Sequence, residues 1–584
     1  MKDYAFLILL SVGAALIAFR PGVAIAQTEL RRDTSIERAL AGGQTHSYRV
    51  PLQDGQFMLA VVDQRGIDVV VQVFDPEGTL IDEIDSPNGT HGPEPISLFT
   101  QTTGDYRIEV RPLEEQPEAP GRYAMNIERL EAIAATPTGK IDQLLALWNK
   151  PDSPGAALAV IQDGEIIHQR GYGSANLEYG IPITPATVFH VASVSKQFTA
   201  FAIAMLAAQG KLSLDDEVRT YLPEMPDFGE TITLRHLVHH TSGLRDQWNL
   251  LALAGWRLDD VITRDHILKT VEHQKDLNFA PGDEIVYCNT GYTLLAEIVE
   301  RVTGQTFRAW TTEHLFEPLG MTNTHFHDDH EMVVPNRAYS YARGPEGQFK
   351  KAVLSYANAG ATSLFTTVED LAAWVHNLDT GTVGGTDVID WMHNDRVVLN
   401  SGDTLGYAFG LSIGEYKGLR TVGHSGGDAG FRSYLVRFPD QGFAVAVLGN
   451  LASFNPRGSA MEIAELYLSD QMAADEPETG TPSSPEVQDS PFTLSTDQLS
   501  EFTGAYYSDE LGTTYTIVVE NDRLVARHRR HEDIALTPKA VDAFTGDAWF
   551  FSRVSYTRNE RDEITGLRVS SGRVRDLRFE KQMR

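Results

Sequence analysis

A serine and a lysine three positions apart, Ser193 and Lys196, lie where a turn-rich stretch gives way to a long apolar run, "HVASVSKQFTA". At helical spacing the two side chains share one face, so the ammonium and the hydroxyl can meet. A serine hydroxyl is a poor nucleophile until a base takes its proton, and a lysine becomes such a base when its environment lowers its pKa. The pair therefore fits a nucleophile with its base. A helix N-cap serine followed by a solvated lysine has the same spacing.

A second pair, Tyr287 and Asn289, lies in "VYCNTGYTLLAEIVE" just before an amphipathic segment. Residues two apart in an extended chain project to the same side. A phenol beside an ammonium can relay protons, and an amide can hold a substrate carbonyl. A core tyrosine and an N-cap asparagine are the alternative interpretation. Cys288, between the two, should point the other way and is interpreted as a packing residue.

A third stretch, "TVGHSGGDAGFRSYLV", places His424 and Ser425 before Gly426 and Gly427. A glycine pair lets the backbone approach a ligand closely, and an edge strand can direct an N–H group at an oxyanion. With Gly423 the stretch also matches G-x-S-x-G. That motif works as a strand–turn–helix elbow, whereas the residues that follow here have the pattern of a strand. We therefore do not interpret Ser425 as the nucleophile.

The three motifs occur in the order S-x-x-K, Y-x-N, H-x-G between residues 193 and 427. Together with "LVHHTSGL", "FEPLGM" and "GATSLFTTVEDLAAW", they resemble the serine β-lactamase and penicillin-binding-protein superfamily. The similarity is greatest to its class C-like branch, which includes esterases and D-aminopeptidases. The resemblance covers about residues 138–470 and is specific, because independent motifs agree in order and spacing.

The resemblance implies a serine hydrolase that works through an acyl-enzyme, which water then resolves. It assigns the catalytic roles to Ser193 as nucleophile and to Lys196 and Tyr287 as the groups that share the proton transfers. It also implies residues that bind the substrate and its oxyanion, and these are Asn289, His424, Gly426 and the backbone N–H groups of Ser193 and Gly427. No metal and no organic cofactor is implied. The expected partner is a small-molecule or peptide ester or amide.

One departure from the superfamily affects the expected substrate. Many members carry K-T-G at the third motif, whereas this chain has His424-Ser425-Gly426. A fixed ammonium favours a substrate carboxylate, and a largely neutral histidine holds one less well. We therefore expect weak β-lactamase activity and leave esterase, D-amino-acid peptidase and amidase activity open. The alternative is a catalytically silent protein that binds penicillin or peptidoglycan peptides.

The sequence around these motifs predicts a multidomain protein, in which an α+β domain with an antiparallel sheet flanked by helices lies between two small all-β domains. Short strands in residues 27–130 predict a β-sandwich, which resembles the bacterial pre-peptidase-type module. Residues 138–470 mix strands and helices and carry all three motifs. Residues 471–491 are rich in Pro, Ser, Thr and acidic residues and predict a disordered linker. Residues 492–584 resemble a lipocalin-like β-barrel.

Local patterns in the central domain predict the elements that hold the motifs. "AVIQDGEII" predicts a hairpin that turns at Asp163 and Gly164. Residues 193–209 predict a helix that Gly210 closes, and "TVEDLAAWVHNL" has helical periodicity. "FRSYLVRFPDQGFAVAVLGN" predicts two strands around a Pro-Asp-Gln-Gly turn.

The first 26 of the 584 residues predict a secretory signal peptide. Lys2 precedes an apolar run over residues 5–19, and Ala-Ile-Ala at 24–26 is a small-x-small cleavage pattern. An uncleaved membrane anchor is the alternative. We expect an exported protein, periplasmic or extracellular, with no membrane span after cleavage because no later stretch is long and uniformly apolar. The formal charge of −31 argues against nucleic acid as a partner.

Two histidine-rich stretches have residue types that bind zinc. In "THFHDDHE" they are His325, His327, Asp328, Asp329 and His330, and in "LRHLVHHTS" they are His236, His239 and His240. The second group has helical spacing but lacks the glutamate of H-E-x-x-H. We interpret the first as a polar surface loop and the second as packing beside the site. A metalloenzyme at the first loop is the remaining alternative.

Overall fold

The computed structural model describes residues 28–113, 120–344, 346–355, 358–473 and 492–582. In chain order it contains a two-sheet sandwich, an α+β region and a closed barrel, which is the predicted architecture. The predicted signal peptide lies outside the described residues, as does the predicted linker from residue 474 onward. Within the described ranges, no helix has the length and apolarity needed to cross a bilayer.

The N-terminal region is a sandwich of one five-stranded and one four-stranded sheet. Buried residues alternate along its strands because successive side chains point to opposite faces of a sheet, and Tyr106, Ile108 and Val110 share the inner face. The strands are Thr28–Glu29, Ile36–Leu40, His46–Leu52, Gln56–Arg65, Val69–Phe74, Leu80–Ile84, His91–Phe99, Gly104–Pro112 and Gly121–Ala132.

The central region is built on a seven-stranded antiparallel sheet. Its first hairpin turns at Asp163 and Gly164, both in the left-handed region, as the sequence predicts. The strands are Ala156–Gln162, Glu165–Tyr172, Tyr407–Ala408, Leu411–Tyr416, Leu419–Asp428, Phe431–Phe438 and Phe443–Gly449. Ala156–Gln162 pairs with Phe443–Gly449, so strands from the two ends of the region lie side by side in the sheet.

Helices cover both faces of this sheet, which explains why the paired strands Ala156–Gln162 and Phe443–Gly449 are almost entirely apolar. Along the strand Ala156–Gln162, odd and even positions contribute to two different hydrophobic cores. The helices are Pro137–Leu144, Ser195–Ala208, Leu234–Val238, Gln247–Leu253, Arg264–Glu272, Asn289–Thr303, Phe307–Thr311, Val368–Thr380, Thr386–Asn394 and Pro456–Leu468. The connections contain two short strand pairs and one small three-stranded sheet. Their strands are Ser174–Asn176, Ile181–Pro182, Phe189–His190, His325–Phe326, Ser340–Arg343, Phe349–Ala352 and Leu364–Thr366.

The C-terminal region is a closed barrel of eight strands in sequential order, preceded by the short helix Thr496–Ser500. This is the strand number and order of lipocalin-like barrels. The strands are Gly504–Ser508, Thr513–Glu520, Arg523–Arg527, Ile534–Ala540, Ala543–Gly546, Arg553–Arg558, Ile564–Ser571 and Val574–Lys581.

The barrel core includes residues of the central region. Leu250, Ala252 and Leu253, on the helix Gln247–Leu253, pack among the buried barrel side chains. The Tyr515 hydroxyl inside the barrel donates to the Leu253 carbonyl at 3.1 Å. The barrel and the central region therefore share one core.

A buried ion pair joins the two regions beside this helix. Nη1 of Arg245 donates to both carboxylate oxygens of Glu510 at 2.7 Å, and the side chains are 1% and 6% exposed. Bidentate geometry of this kind makes an arginine–carboxylate pair specific in orientation. The pair fixes how the barrel sits on the central region.

Candidate active site

Ser193 lies in a tight turn before a helix and not at a helix N-cap. The helix begins at Ser195, two residues later than the sequence predicts, and Ala192 has a φ of 48° in the left-handed region. Residues with a Cβ seldom adopt that conformation, which persists where the surroundings impose it. Here the Ser195 Oγ donates to the Ala192 carbonyl at 2.5 Å and accepts from the Leu364 N–H at 3.0 Å. The turn thus presents the half-buried Ser193 to a cavity.

Lys196 is fully buried, which excludes the solvated lysine of the alternative interpretation. Its Nζ donates to Asn289 Oδ1 at 2.8 Å and to the Ala361 carbonyl at 2.7 Å, and lies 3.2 Å from Ser193 Oγ. Burial lowers the pKa of Lys196 to about 7, against the opposing effect of the nearby Asp246 carboxylate. A neutral amine has two N–H groups and one lone pair. The two carbonyl oxygens take the N–H groups, so the lone pair is left for the Ser193 hydroxyl.

Asn289 is held in place by Asp246, a residue that the sequence analysis missed. The backbone N–H and the Nδ2 of Asn289 both donate to Asp246 Oδ2, at 2.7 and 2.8 Å. These two hydrogen bonds orient the Asn289 side chain so that its Oδ1 faces Lys196. Asp246 is itself the N-cap of the helix Gln247–Leu253. Only its capping position, before an apolar run, could have drawn attention to it in the sequence.

Tyr287 places an unpaired phenol in the same cavity. Its hydroxyl oxygen is buried and has no hydrogen-bond partner among the described residues. Burial raises the pKa of Tyr287, and the neighbouring Ser193 hydroxyl lowers it only in part. The phenol is therefore protonated at neutral pH and can donate a hydrogen bond, whereas a neutral Lys196 can accept a proton. Lys196 Nζ lies 4.8 Å from the centre of the Tyr287 ring.

His240, which the sequence predicts to pack beside the site, contacts this ring. The two rings lie 4.3 Å apart at 34°. His240 Nδ1 accepts from the Cys288 N–H at 3.1 Å, which leaves the proton on Nε2, 3.0 Å from the Tyr407 hydroxyl. Burial lowers the pKa of His240 well below its ordinary value, so the imidazole is neutral. In the sequence, the adjacent histidines of "LVHHTSGL" are the feature that indicates His240.

The strand Leu419–Asp428 forms one wall of the cavity. One neighbouring strand pairs with it only as far as Gly423, so residues 424–428 are paired along the other side alone, with the strand Phe431–Phe438. The next element is the strand Phe431–Phe438, which excludes a strand–turn–helix elbow. Gly427 lies on the edge and lines the cavity.

Gly426 is placed differently from its predicted role of substrate contact. It is buried and lies behind the cavity wall. A Cβ at this position would come within 2.3 Å of both the Ser433 Oγ and the Val191 carbonyl. Gly426 therefore acts by letting the strand approach the turn that carries Ser193.

His424 occupies the position where other superfamily members have an ammonium. Burial, with a smaller effect of Lys196, lowers the pKa of His424 to about 4. Its Nδ1 lies 2.5 Å from the Ser425 carbonyl, which can only accept, so Nδ1 carries the proton. At neutral pH this position has no charge and offers a lone pair at Nε2.

These groups surround a cavity of about 620 Å³. Five of the seven predicted site residues line it, namely Ser193, Tyr287, Asn289, His424 and Gly427. Lys196 lies beneath the cavity and reaches it through Ser193. The sequence analysis did not identify the three charged residues of the lining, Asp428, Arg432 and Arg573.

The histidine-rich stretches do not converge on a metal-binding geometry. Within the described ranges, no group of three or more His, Cys, Asp or Glu residues is arranged to hold an ion. In the first stretch, His325 and His327 pack against the Phe365 ring. In the second, His236 Nδ1 accepts from the Thr233 N–H, and His239 packs on Phe409.

The chain was compared with curated proteins of known name. A D-aminopeptidase of Gluconobacter oxydans is 28% identical over 311 residues, which are 53% of this chain and 58% of that protein. A D-aminopeptidase of Brucella anthropi is 29% identical over 315 residues, with the same coverage. The chain thus spans somewhat more than half the length of these curated relatives.

Comparison with solved structures and family models gives a consistent result. The octameric penicillin-binding protein homologue from Pyrococcus abyssi aligns with a TM-score of 0.51 and 25% identity, over 76% of this chain and all of that one. The family model described as Beta-lactamase matches residues 139–468, close to the predicted limits of 138–470 and more than half of the chain. With the S-x-x-K, Y-x-N and H-x-G residues gathered around one cavity, this chain belongs to the Beta-lactamase family.

Proposed function

We propose that this chain is a serine hydrolase that cleaves an ester or an amide through an acyl-enzyme on Ser193. The observation that carries the proposal is the buried Lys196 amine, 3.2 Å from the Ser193 hydroxyl, with two carbonyl oxygens taking its other hydrogen bonds. A serine needs an adjacent base to become nucleophilic, and a lysine is such a base only when neutral. The pKa of about 7 makes the neutral amine available near pH 7.

In the proposed reaction, each of these groups has one role. Lys196 takes the proton of Ser193 as Oγ attacks the acyl carbonyl carbon. The backbone N–H groups of Ser193 and Gly427 are the proposed oxyanion hole for the oxygen that becomes negative. The leaving group departs with a proton, which Tyr287 is placed to relay from Lys196 because its hydroxyl has no partner among the described residues. Water attacks the resulting ester of Ser193 and releases the acid.

The names of the relatives favour an amide of a D-amino acid as one candidate substrate, beside simple esters. β-Lactams are weaker candidates because His424 is neutral and puts no fixed cation at the third motif. We expect hydrolysis of 4-nitrophenyl esters well above hydrolysis of nitrocefin. The reverse order would show that the interpretation of His424 is wrong.

Labelling with a fluorophosphonate probe tests the proposal. We expect one covalent adduct, mapped by peptide mass spectrometry to Ser193, together with turnover of 4-nitrophenyl esters or D-alanyl anilides. Labelling should vanish in Ser193→Ala, whereas Ser425→Ala, at the serine of the unused G-x-S-x-G match, should still be labelled. Binding of a fluorescent penicillin with no turnover would favour the silent binding protein. Activity that a chelator abolishes would favour a metalloenzyme.

The pH dependence of kcat/KM should report the protonation of Lys196. Because the lysine must be neutral to accept the serine proton, kcat/KM should fall tenfold per pH unit below about pH 7 and level off above it. The measurement is kcat/KM for a 4-nitrophenyl ester between pH 5 and 9. A profile that stays flat down to pH 5 would contradict this and would instead fit His424 as the base, whose pKa is about 4.

We also propose that the protein is exported to the periplasm or the extracellular space. The support is the signal-like segment at residues 1–26, with its apolar run and Ala-Ile-Ala site. Expression of the full chain with N-terminal sequencing of the product tests this. We expect a mature N-terminus near Gln27 in the exported fraction, and an uncut protein retained with the membranes would contradict it.

A further inference from the structure

The barrel sends one hairpin turn into the candidate active site. The strands Ile564–Ser571 and Val574–Lys581 are joined by Gly572 and Arg573. Arg573 lines the same cavity as Ser193, although it belongs to the other region of the protein. A side chain from the barrel is therefore part of the wall against which a substrate must fit.

The backbone of this turn is fixed on the central region. The Arg573 carbonyl accepts from the Asp246 N–H at 3.2 Å and from Asn278 Nδ2 at 3.0 Å. On either side, Ser571 Oγ accepts from Asn249 Nδ2 at 2.8 Å, and the Arg575 N–H donates to Asn278 Oδ1 at 2.8 Å. Four hydrogen bonds thus hold the turn. A side chain on so constrained a backbone is preorganised to bind.

The guanidinium of Arg573 lies over the Tyr287 ring, with Cζ 4.9 Å from the ring centre. In the described part of the chain it forms neither an ion pair nor a side-chain hydrogen bond. Other arginines of this interface are paired, including Arg245 with Glu510 and Arg575 with Glu284. Arg573 is half-buried and keeps its donors available on the cavity side.

The remaining charged groups of the cavity are already engaged. Asp428 Oδ2 accepts from the Thr362 hydroxyl at 3.0 Å and lies 3.1 Å from His190 Nε2. Nη1 of Arg432 donates to the backbone carbonyls of Ala429 and Phe431. Arg573 is thus a cavity cation whose side-chain donors have no partner in the described part of the chain, whereas Arg432 has one nitrogen engaged by backbone carbonyls.

We propose that Arg573 binds a carboxylate of the substrate, so that the barrel selects acyl substrates that carry a free negative charge. The inference rests on the proposed hydrolase function and names the substrate class of that site. A guanidinium binds a carboxylate through two parallel N–H···O bonds and disfavours a free ammonium at the same place. We therefore expect a substrate with a free carboxylate, and not one whose only charged group is an amine. Because Arg573 reaches the anion from over Tyr287 and not from the third motif, a flexible carboxylate fits better than the ring-fixed one of a β-lactam.

Matched substrate pairs test this proposal. The first pair is mono-4-nitrophenyl glutarate and 4-nitrophenyl valerate, which place a charge or a methyl group on the acyl side. The second is 3-acetoxybenzoate and 3-acetoxybenzamide, which differ in charge on the leaving group. In at least one pair we expect wild type to favour the anion by about 10- to 100-fold in kcat/KM, the range of a hydrogen-bonded charge pair. Arg573→Gln should reduce that ratio at least tenfold, mainly through KM, and Arg573→Lys should restore part of it.

Arg575→Gln is the matched control, because it removes a charge from the same hairpin outside the cavity. It should leave the ratio unchanged. The proposal is wrong if wild type shows no preference for either anion, or if Arg573→Gln lowers both members of each pair equally, as a purely structural role predicts.

A binding measurement separates failure of this inference from failure of the proposed function. Ser193→Ala should bind intact mono-4-nitrophenyl glutarate at least tenfold more tightly than Ser193→Ala/Arg573→Gln, as measured by calorimetry. If that difference in affinity appears but wild type hydrolyses none of the substrates, the result supports the anion site and contradicts the hydrolase function. Equal binding with active hydrolysis contradicts the anion site alone.

Discussion

Replacement of Lys196 by methionine is expected to lower kcat/KM for ester hydrolysis as much as replacement of Ser193 by alanine, by roughly 10⁴- to 10⁶-fold. The double variant should be no worse than either single one. Nucleophile and base act as one unit, because the hydroxyl attacks only when the amine 3.2 Å away removes its proton. Steady-state kinetics of the three variants with one 4-nitrophenyl ester give the comparison.

Lys196→Arg is the control for charge. A guanidinium keeps the positive charge but does not lose its proton near neutral pH, so this variant should be as inactive as Lys196→Met. Circular dichroism and thermal unfolding establish that each variant is folded. An arginine variant with near wild-type activity would show that Lys196 acts as a fixed charge and not as a base. If the free-energy losses of the two single variants, calculated from kcat/KM, added up in the double variant, Ser193 and Lys196 would not act as one unit.

Replacement of Arg245 by methionine is expected to lower the free energy of unfolding by roughly 3–5 kcal/mol. The change leaves the Glu510 carboxylate, 6% exposed, without its bidentate partner inside the interface between barrel and central region. Urea denaturation followed by tryptophan fluorescence measures the loss. Activity should fall as well, because the displaced interface includes Asp246 and the Arg573 turn.

Two variants make this prediction specific. Arg530→Met breaks an ion pair with Asp260 across the same interface, but the partners are 39% and 22% exposed, so the cost should stay below about 1 kcal/mol. Arg245→Met/Glu510→Leu removes both charges and should regain most of the stability. An unchanged denaturation curve for Arg245→Met would show that the buried pair does not hold the barrel in place.

The motifs and the elements around them could be predicted because their signals are local. A pattern within about twenty residues predicts the hairpin that turns at Asp163 and Gly164. A pattern of similar length predicts the strand Phe431–Phe438, which precedes Phe443. The three-region architecture followed from the alternation of strand-rich and mixed segments together with the resemblance to known members. These are properties that a single stretch of chain carries by itself.

The start of the helix after Ser193 could not be predicted in this way. Local propensity favours a helix that begins at the serine, but contacts from Ser195 and Leu364 hold Ala192 in the left-handed region and delay the helix. The position of Gly426 could not be predicted for a related reason. Its place behind the cavity wall depends on which face of the strand meets the distant Val191 carbonyl.

Asp246 and Arg573 were missed, and His240 was predicted only to pack beside the site, because the roles of these residues exist only in the folded protein. Asp246 is significant through the amide of Asn289, His240 through the ring of Tyr287, and Arg573 through a barrel hairpin that docks on the other region. None of the three belongs to a motif with chemistry of its own. Long-range contacts of this kind leave no periodic trace in the sequence.

The double attachment of Asp246 has an evolutionary consequence. Its carboxylate orients the amide that receives the Lys196 amine, while its own N–H holds the Arg573 turn. A descendant that lost the C-terminal barrel would therefore disturb the surroundings of Lys196 along with the cavity wall that Arg573 forms. Substitutions in the barrel at this contact should therefore be accompanied by compensating substitutions in the central region. We expect the two regions to evolve together for this reason.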